Sequence, residues 1–272
     1  MRVSPGCRFA HPDYWNEKAT MVLEGRHALV TGGGRGIGRA IAAALARAGA
    51  RVTVVGRSEA PLRETVAAGE AAGCAVADVT DPDALKREVE AAEKARGPIA
   101  ILVNNAGSVE SGPFAKLDPA VFGAMWNVHV MGAVHATRAV LPGMVERGFG
   151  RIVNIASTAG LKGYAYVSAY CAAKHALVGL TRALALETAT RGVTVNAVCP
   201  GYTDTELVRQ SIERVAAKTG RPQGDVLAEY VRDAPIRRLI TPQEVAAAVL
   251  YLCTAEAGAI TGTTLAVAGG EL

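Results

Sequence analysis

The sequence predicts an α/β fold with a doubly wound parallel sheet. Two observations point to it. Short β-branched runs alternate with longer alanine-rich stretches from about residue 26 onward, and a glycine-rich turn joins the first run to the first such stretch. Successive strands of one sense need right-handed crossovers, so the alternation implies one sheet with helices on both faces. The strand-forming runs are HALVT (27–31), RVTVV (51–55), CAVAD (74–78), IAILV (99–103), RIVNI (151–155), VTVNAV (193–198) and TTLAV (263–267), about seven strands. Between them the helical stretches begin at residues 37, 61, 81, 118 and 168. Asp81-Pro82, Asp118-Pro119 and Thr241-Pro242 each set a capping side chain before a proline suited to the first helical turn. Thr241 also has Glu244 three residues on, the spacing of a capping box.

No linker or internal repeat interrupts residues 23–272, which read as a single domain, preceded by an N-terminal extension (1–22) without periodicity. Residues 202–238 are more polar and break the alternation after the sixth strand, as a lid-like segment over a substrate does. With 50% hydrophobic residues and a net charge of +4 over 272 residues, the chain is neither disordered nor a polyelectrolyte. It has no block of like charges to meet nucleic acid. The longest uncharged run, 119–137, is broken by glycine, asparagine and histidine and does not read as a membrane span. Five dispersed cysteines (Cys7, Cys74, Cys171, Cys199, Cys253) read as reduced thiols of a cytoplasmic protein, and their spacing offers no metal site.

In TGGGRGIG (31–38), Gly32, Gly36 and Gly38 let the backbone turn tightly and approach a pyrophosphate, while the helix opening at Ile37 offers free N–H groups. Strand before and helix after make this a Rossmann-type dinucleotide site. No Gly-Lys-Ser/Thr closes the loop, which disfavours a Walker-type site. The second strand ends at Val55-Gly56-Arg57, where an acidic residue would favour NAD. Arg57, together with Arg35 inside the loop, favours the 2′-phosphate of NADP, with NAD as the alternative.

Tyr170 and Lys174 lie four apart at the start of a helix, hence on one face. A neighbouring ammonium favours the phenolate and brings a tyrosine toward proton transfer. Around this pair stand TGGGRGIG, DVTD (78–81), NNAG (104–107), Ser157, YCAAK (170–174) and PGYTDT (200–205). Their order and spacing resemble the short-chain dehydrogenase/reductase family over nearly the whole chain. The resemblance implies a general acid/base role for Tyr170, a hold by Ser157 on the substrate oxygen, and a nicotinamide-ribose contact from Lys174. It implies that Asp78 and Val79 face the adenine and that Asn105, Ala106 and Gly107 line the cofactor floor. Pro200, Gly201, Thr203 and Thr205 fall in the stretch that receives the carboxamide. It also implies a homotetramer formed through helices at 118–147 and 168–188.

One position departs from the family. Twenty-eight residues before Ser157, where an Asn is usual, stands His129; Asn127 is about 200° away around an α-helix. An imidazole both donates and accepts, so His129 is expected to hold the water leading to Lys174. The same His occurs in peroxisomal multifunctional hydroxyacyl-CoA dehydrogenases, which points to acyl-thioester chemistry.

The second half also resembles 3-hydroxybutyrate dehydrogenases, 3-oxoacyl reductases and aromatic-polyketide ketoreductases. The three positions where the hydroxybutyrate enzymes clamp a carboxylate hold Val109, Ala159 and Val167, which leave a buried carboxylate unpaired. The expected reaction is hydride transfer between the cofactor and a ketone or secondary alcohol, with a 3-oxoacyl thioester or polyketide-like ketone as substrate. Arg209, Arg214, Lys218 and Arg221 are candidates to meet a phosphate on its carrier, or simply a solvated helix face. The competing readings are a 3-hydroxy acid dehydrogenase using NAD and a nucleotide-sensing protein that lost turnover through His129. Intact Ser157, Tyr170 and Lys174 oppose the sensor.

Overall fold

Parallel strands in the order β3-β2-β1-β4-β5-β6-β7 form one seven-stranded sheet in a computed structural model that describes residues 21–272. Along the chain come β1 (His27–Thr31), α1 (Gly36–Arg47), β2 (Arg51–Gly56), α2 (Glu59–Ala67), β3 (Gly73–Val76), α3 (Pro82–Arg96) and β4 (Ile99–Asn104). Then follow α4 (Ala120–Trp126), a π-helical turn (Asn127–Met131), α5 (Gly132–Glu146), β5 (Gly150–Ile155), α6 (Ser168–Thr188) and β6 (Val193–Pro200). The chain continues with α7 (Glu206–Thr219), α8 (Gln223–Tyr230), α9 (Pro242–Cys253) and β7 (Thr264–Val267). The fold is the doubly wound α/β class expected from the sequence. Of the N-terminal extension, residues 1–20, with Cys7, lie outside the described residues.

Alternation along the central strands divides the apolar side chains between two cores. Val30, Val103, Val153 and Val198 face α1 and α9, against Ile41, Leu45, Val249 and Leu252. Leu29, Leu102, Ile152 and Val195 face α3 and α5, against Leu85, Val140 and Met144. Each fully buried Leu or Ile contributes roughly 2 kcal/mol, so packing rather than helix propensity holds the layers.

The chain departs in opposite directions from β1 and β4, and a crevice opens beyond their carboxyl ends. The helix starts there differ in a telling way. Asp81 caps α3 by accepting from the N–H groups of Asp83 (3.1 Å) and Ala84 (2.9 Å), and Thr241 with Glu244 makes a full capping box on α9. Asp118 Oδ1 accepts from Ala120 N–H at 2.8 Å, at the start of α4. By contrast, α1 begins after Arg35 with no side-chain cap and no acidic residue in its first turn. Its first N–H groups are left for an anion.

Three elements differ from the sequence reading. The third strand stops at Val76, so Asp78 and Val79 lie in the loop beyond it. α2 ends at Ala67 because Gly69 turns the chain with a positive φ of 72°. The expected single helix at 118–147 contains the π turn, an insertion in the hydrogen-bond ladder of the kind found at functional sites.

Candidate active site

The floor of the crevice is sewn together by hydrogen bonds between two side chains and the backbone around them. Thr31 Oγ1, at the end of β1, accepts from the N–H groups of Asn105 (3.0 Å) and Ala106 (3.1 Å) beyond β4. Asn105 Nδ2 donates back to the carbonyls of Thr31 (3.0 Å) and Gly32 (3.2 Å), so this side chain supports the glycine turn from beneath. A Cβ on Gly38 would stand 2.2 Å from the Gly32 carbonyl oxygen, which is why that position has no side chain. Gly36 sits against Thr205, whose hydroxyl caps α7 by accepting from Val208 N–H.

A buried polar network below the floor fixes the elements that carry the reactive side chains. Asn104 Nδ2 donates to Asn154 Oδ1 (2.8 Å) and Thr137 Oγ1 (3.3 Å), and Asn154 Nδ2 donates to Thr181 Oγ1 (2.9 Å). β4, β5, α5 and α6 are thereby cross-linked at one level. The sequence reading singled out Asn105 and missed Asn104; its signal was a polar residue ending an otherwise apolar strand.

Above this network lies a cleft of about 250 Å³, whose walls include His129, Ser157, Tyr170 and Lys174. Ile37, Asn105, Gly107, Pro200, Gly201, Thr203 and Thr205 also line it. Val79 and Ala106 instead line a small neighbouring cavity shared with His129 and Lys174. Gly32 lies in the turn itself, and Gly36 and Gly38 in the first turn of α1. Arg35, Arg57 and Asp78 lie outside both cavities. Arg57 is 4.0 Å from Asp78, and Arg35 is 3.4 Å from Glu206 at the start of α7. Partial burial works against the Asp78 charge, yet the Thr80 N–H and hydroxyl, with Arg57 beyond, hold its carboxyl below the usual range.

Ser157 follows β5 by two residues, and its Oγ accepts from Ala159 N–H at 3.1 Å, leaving its own proton free for a second oxygen. Tyr170 and Lys174 lie one helical turn apart in α6. Lys174 is 4% exposed, and its Nζ donates to the Ile155 carbonyl at 2.7 Å, 5.5 Å from the centre of the Tyr170 ring. Burial pushes the lysine down to about 7. Burial also pushes the Tyr170 phenol up to about 12, against the opposing Ser157 hydroxyl. The sequence reading expected the neighbouring ammonium to lower this phenol; burial instead raises it, and the phenol keeps its proton.

The π turn carries His129, which is 4% exposed and meets the Tyr170 ring edge-on at 5.3 Å between centroids. Its Nε2 donates to the Ser108 carbonyl at 2.7 Å, which fixes the tautomer and leaves Nδ1 as an acceptor without a protein partner. Burial first, then the Lys174 charge, pushes this imidazole down to about 3, so it is neutral. Asn127 lies exposed on the same turn.

Other walls were not named from sequence as a group. Tyr164 and Tyr202 form an aromatic side, and Leu207 and Val208 of α7 add aliphatic cover. Val109, Ala159 and Val167 all line the cleft, so no cation occupies those positions. Arg209 and Arg221, two of the four basic residues offered to a carrier phosphate, are paired with Asp204 (2.6 Å) and Glu229 (2.8 Å).

A dinucleotide crevice leading to a half-buried phenol and a buried amine defines a class, the nicotinamide-dependent oxidoreductases. Within it the chain belongs to the short-chain dehydrogenase family, whose model, described as "short chain dehydrogenase", matches residues 26–216. It is 40% identical over 246 residues to an acetoacetyl-CoA reductase of Shinella zoogloeoides, covering 90% of this chain and 98% of that protein. It is 38% identical over 254 residues to a D-beta-hydroxybutyrate dehydrogenase of Cupriavidus necator, covering 92% and 98%. Among solved structures, an actinorhodin polyketide ketoreductase with NADPH matches with a TM-score of 0.86 at 38% identity, over 90% of this chain and 97% of that one. The L-sorbose reductase of Gluconobacter frateurii, complexed with NADPH and L-sorbose, matches with a TM-score of 0.88 at 29% identity, over 93% and 98%. Among the described residues, no helix is long and apolar enough to cross a membrane.

Proposed function

We propose that the protein reduces the keto group of a 3-oxoacyl thioester or a related uncharged ketone, with NADPH as reductant. The observation that carries this reading is the convergence of Ser157, Tyr170 and Lys174 on a cleft whose remaining walls are largely apolar and aromatic. The uncapped start of α1 and the side-chain-free approach at Gly38 fit a dinucleotide pyrophosphate, while Arg35 and Arg57 fit a 2′-phosphate. When bound, the cofactor supplies the hydride.

The chain's own residues supply the rest. Ser157 donates a hydrogen bond to the carbonyl oxygen and polarises it. Tyr170, protonated through the neutral range, delivers the proton that converts the developing alkoxide to the alcohol. Lys174 holds the nicotinamide ribose and stabilises the phenolate left behind. His129 does not ionise here; its Nδ1 accepts from a water placed between it and Lys174, the room being the small shared cavity. The 202–238 segment acts as the lid, through Leu207 and Val208. Assembly as a tetramer through α4–α5 and α6 is part of this reading.

The test follows NADPH absorbance with 3-oxoacyl thioesters of graded length, neutral ring ketones and free 3-oxo acids, each repeated with NADH. The expected result is turnover of thioesters or neutral ketones, with poor use of free acids. Tight NADPH binding without turnover across the panel defeats the reading in favour of a sensor.

Lys174 gives a pH prediction of definite sign. Because the free lysine loses its proton near pH 7, and ribose oxygens with nearby phosphates favour the ammonium, cofactor binding above that pH takes up a proton. Calorimetry in buffers of different ionisation enthalpy measures this uptake, which Lys174→Met abolishes. His129→Leu removes the bridging water's anchor and leaves the ammonium less stabilised, so the onset of uptake moves to lower pH. An unmoved onset removes His129 from the role assigned to it.

A further inference from the structure

Beyond β7 the chain buries a carboxylate at the edge of the cleft. Gly269 and Gly270, with φ of 60° and 86°, turn the backbone against Pro235 and Ile236 and bring Glu271 inward. The Glu271 side chain is only 4% exposed. It accepts from the Tyr164 hydroxyl and pairs with Lys162 Nζ at 3.1 Å. An ionised carboxylate only accepts, so the Tyr164 hydroxyl donates its one hydrogen bond to Glu271, while Thr158, 2.6 Å from the same phenol oxygen, donates to it. Thr158 is the neighbour of Ser157, and Tyr164 lines the cleft.

The linkage extends outward. The Tyr164 ring meets Tyr202 edge-on at 6.2 Å; Tyr202 packs on Tyr230 of α8 at 4.7 Å, and the Tyr230 hydroxyl is 2.9 Å from Ser211 of α7. Lys162 stands 5.1 Å from the centre of the Tyr164 ring. It is a cation near the cleft, and Glu271 neutralises it.

We propose that Glu271 is a positioning and specificity-determining residue: it fixes Tyr164 as the wall of the substrate cleft and masks Lys162, so that the site takes uncharged acyl ketones rather than free acids. The inference rests on the ketone-reductase reading and adds a cause for its substrate preference. With its donor committed to Glu271, Tyr164 turns ring surface to the substrate, and no unpaired ammonium at this wall attracts a carboxylate.

Three variants separate the two halves. Glu271→Gln keeps an acceptor for Tyr164 but unmasks Lys162. Tyr164→Phe keeps the mask but frees the ring, and Glu271→Ala does both. Each is measured for kcat and KM on a neutral 3-oxo ester and on its free acid, and for calorimetric affinity of both ligands for the NADP-loaded protein. Melting temperature serves as the folding control.

The expected result for Glu271→Ala is a rise in ester KM of about tenfold with kcat within threefold, and a rise in the acid-to-ester ratio of similar size. Tyr164→Phe should reproduce the KM change alone, and Glu271→Gln the ratio change alone. In the double variant Tyr164→Phe/Glu271→Ala, the KM effects should not add, whereas a merely structural Glu271 gives additive ones. An ester KM and affinity within twofold of wild type in both Glu271→Ala and Tyr164→Phe overturn the positioning role. An unchanged acid-to-ester affinity ratio in Glu271→Gln overturns the mask. The affinity measurements decide these points even if wild type turns over neither ligand, a result that would defeat the function reading separately.

Discussion

Tyr170→Phe is expected to lower kcat for ketone reduction by about a thousandfold while leaving NADPH affinity unchanged. The substitution removes one atom whose work is specific. The ring stays, with its edge contact to His129 and its place against Val121, Met125 and Val130, so neither the cleft nor α6 should shift. Only the hydroxyl, and with it the proton, is lost. A thousandfold is about 4 kcal/mol of transition-state stabilisation, within the range of a positioned general acid. Steady-state rates and a fluorescence titration with NADPH, run on the same preparation, make the comparison. Activity within tenfold of wild type would mean that another group or a water protonates the alkoxide, and Tyr170 would lose the role. Because burial holds the phenol near 12, the reduction rate should also show no loss from Tyr170 ionisation through neutral pH; a decline beginning near 7 that appears only at limiting NADPH is to be assigned to Lys174 of the free enzyme instead.

The parts of this molecule that were legible from sequence are those fixed by local pattern. HALVT, IAILV and RIVNI are strands because β-branched and aliphatic residues run together, and they come out buried end to end because both faces of the sheet are covered. Capping at Asp81 and Thr241 was readable because it needs only a few consecutive residues. Tyr170 and Lys174 fall on one face by the helical period alone. The chain's departures from the sequence reading have another origin. Nothing in NVHVM marks a π turn, since the extra residue in the ladder is accommodated by packing between α4, α5 and the loop at Ser108. The raised phenol and lowered amine likewise follow from desolvation, which depends on what covers the pair and not on their spacing. Glu271 was invisible for the same reason: a glutamate after two glycines reads as a solvated residue until the turn brings it to Tyr164 and Lys162, more than 100 positions earlier.

For cofactor choice, Arg57→Asp is expected to reverse the preference, lowering the NADPH-to-NADH ratio of kcat/KM by about a thousandfold. Both candidate arginines are well exposed, at 75% for Arg57 and 68% for Arg35, and each already has an acidic neighbour, Asp78 at 4.0 Å and Glu206 at 3.4 Å. Exposed pairs of this kind contribute at most about 1 kcal/mol, whereas hydrogen bonds from a guanidinium to a phosphate contribute about 1.5–3 kcal/mol. A 2′-phosphate is therefore expected to win the competition for both side chains. Replacing Arg57 by Asp removes that attraction, sets a negative charge against the 2′-phosphate, and offers the ribose hydroxyls of NADH a carboxylate acceptor. A loss with one coenzyme and a gain with the other multiply in the ratio. The contrast should shrink at high salt, because exposed charges are screened. Initial rates with both coenzymes at low and high ionic strength, on wild type, Arg57→Asp and Arg35→Ser, give the answer. If the ratio stays within threefold of wild type in Arg57→Asp, the end of β2 does not read the phosphate, and the discrimination passes to Arg35 and the glycine turn.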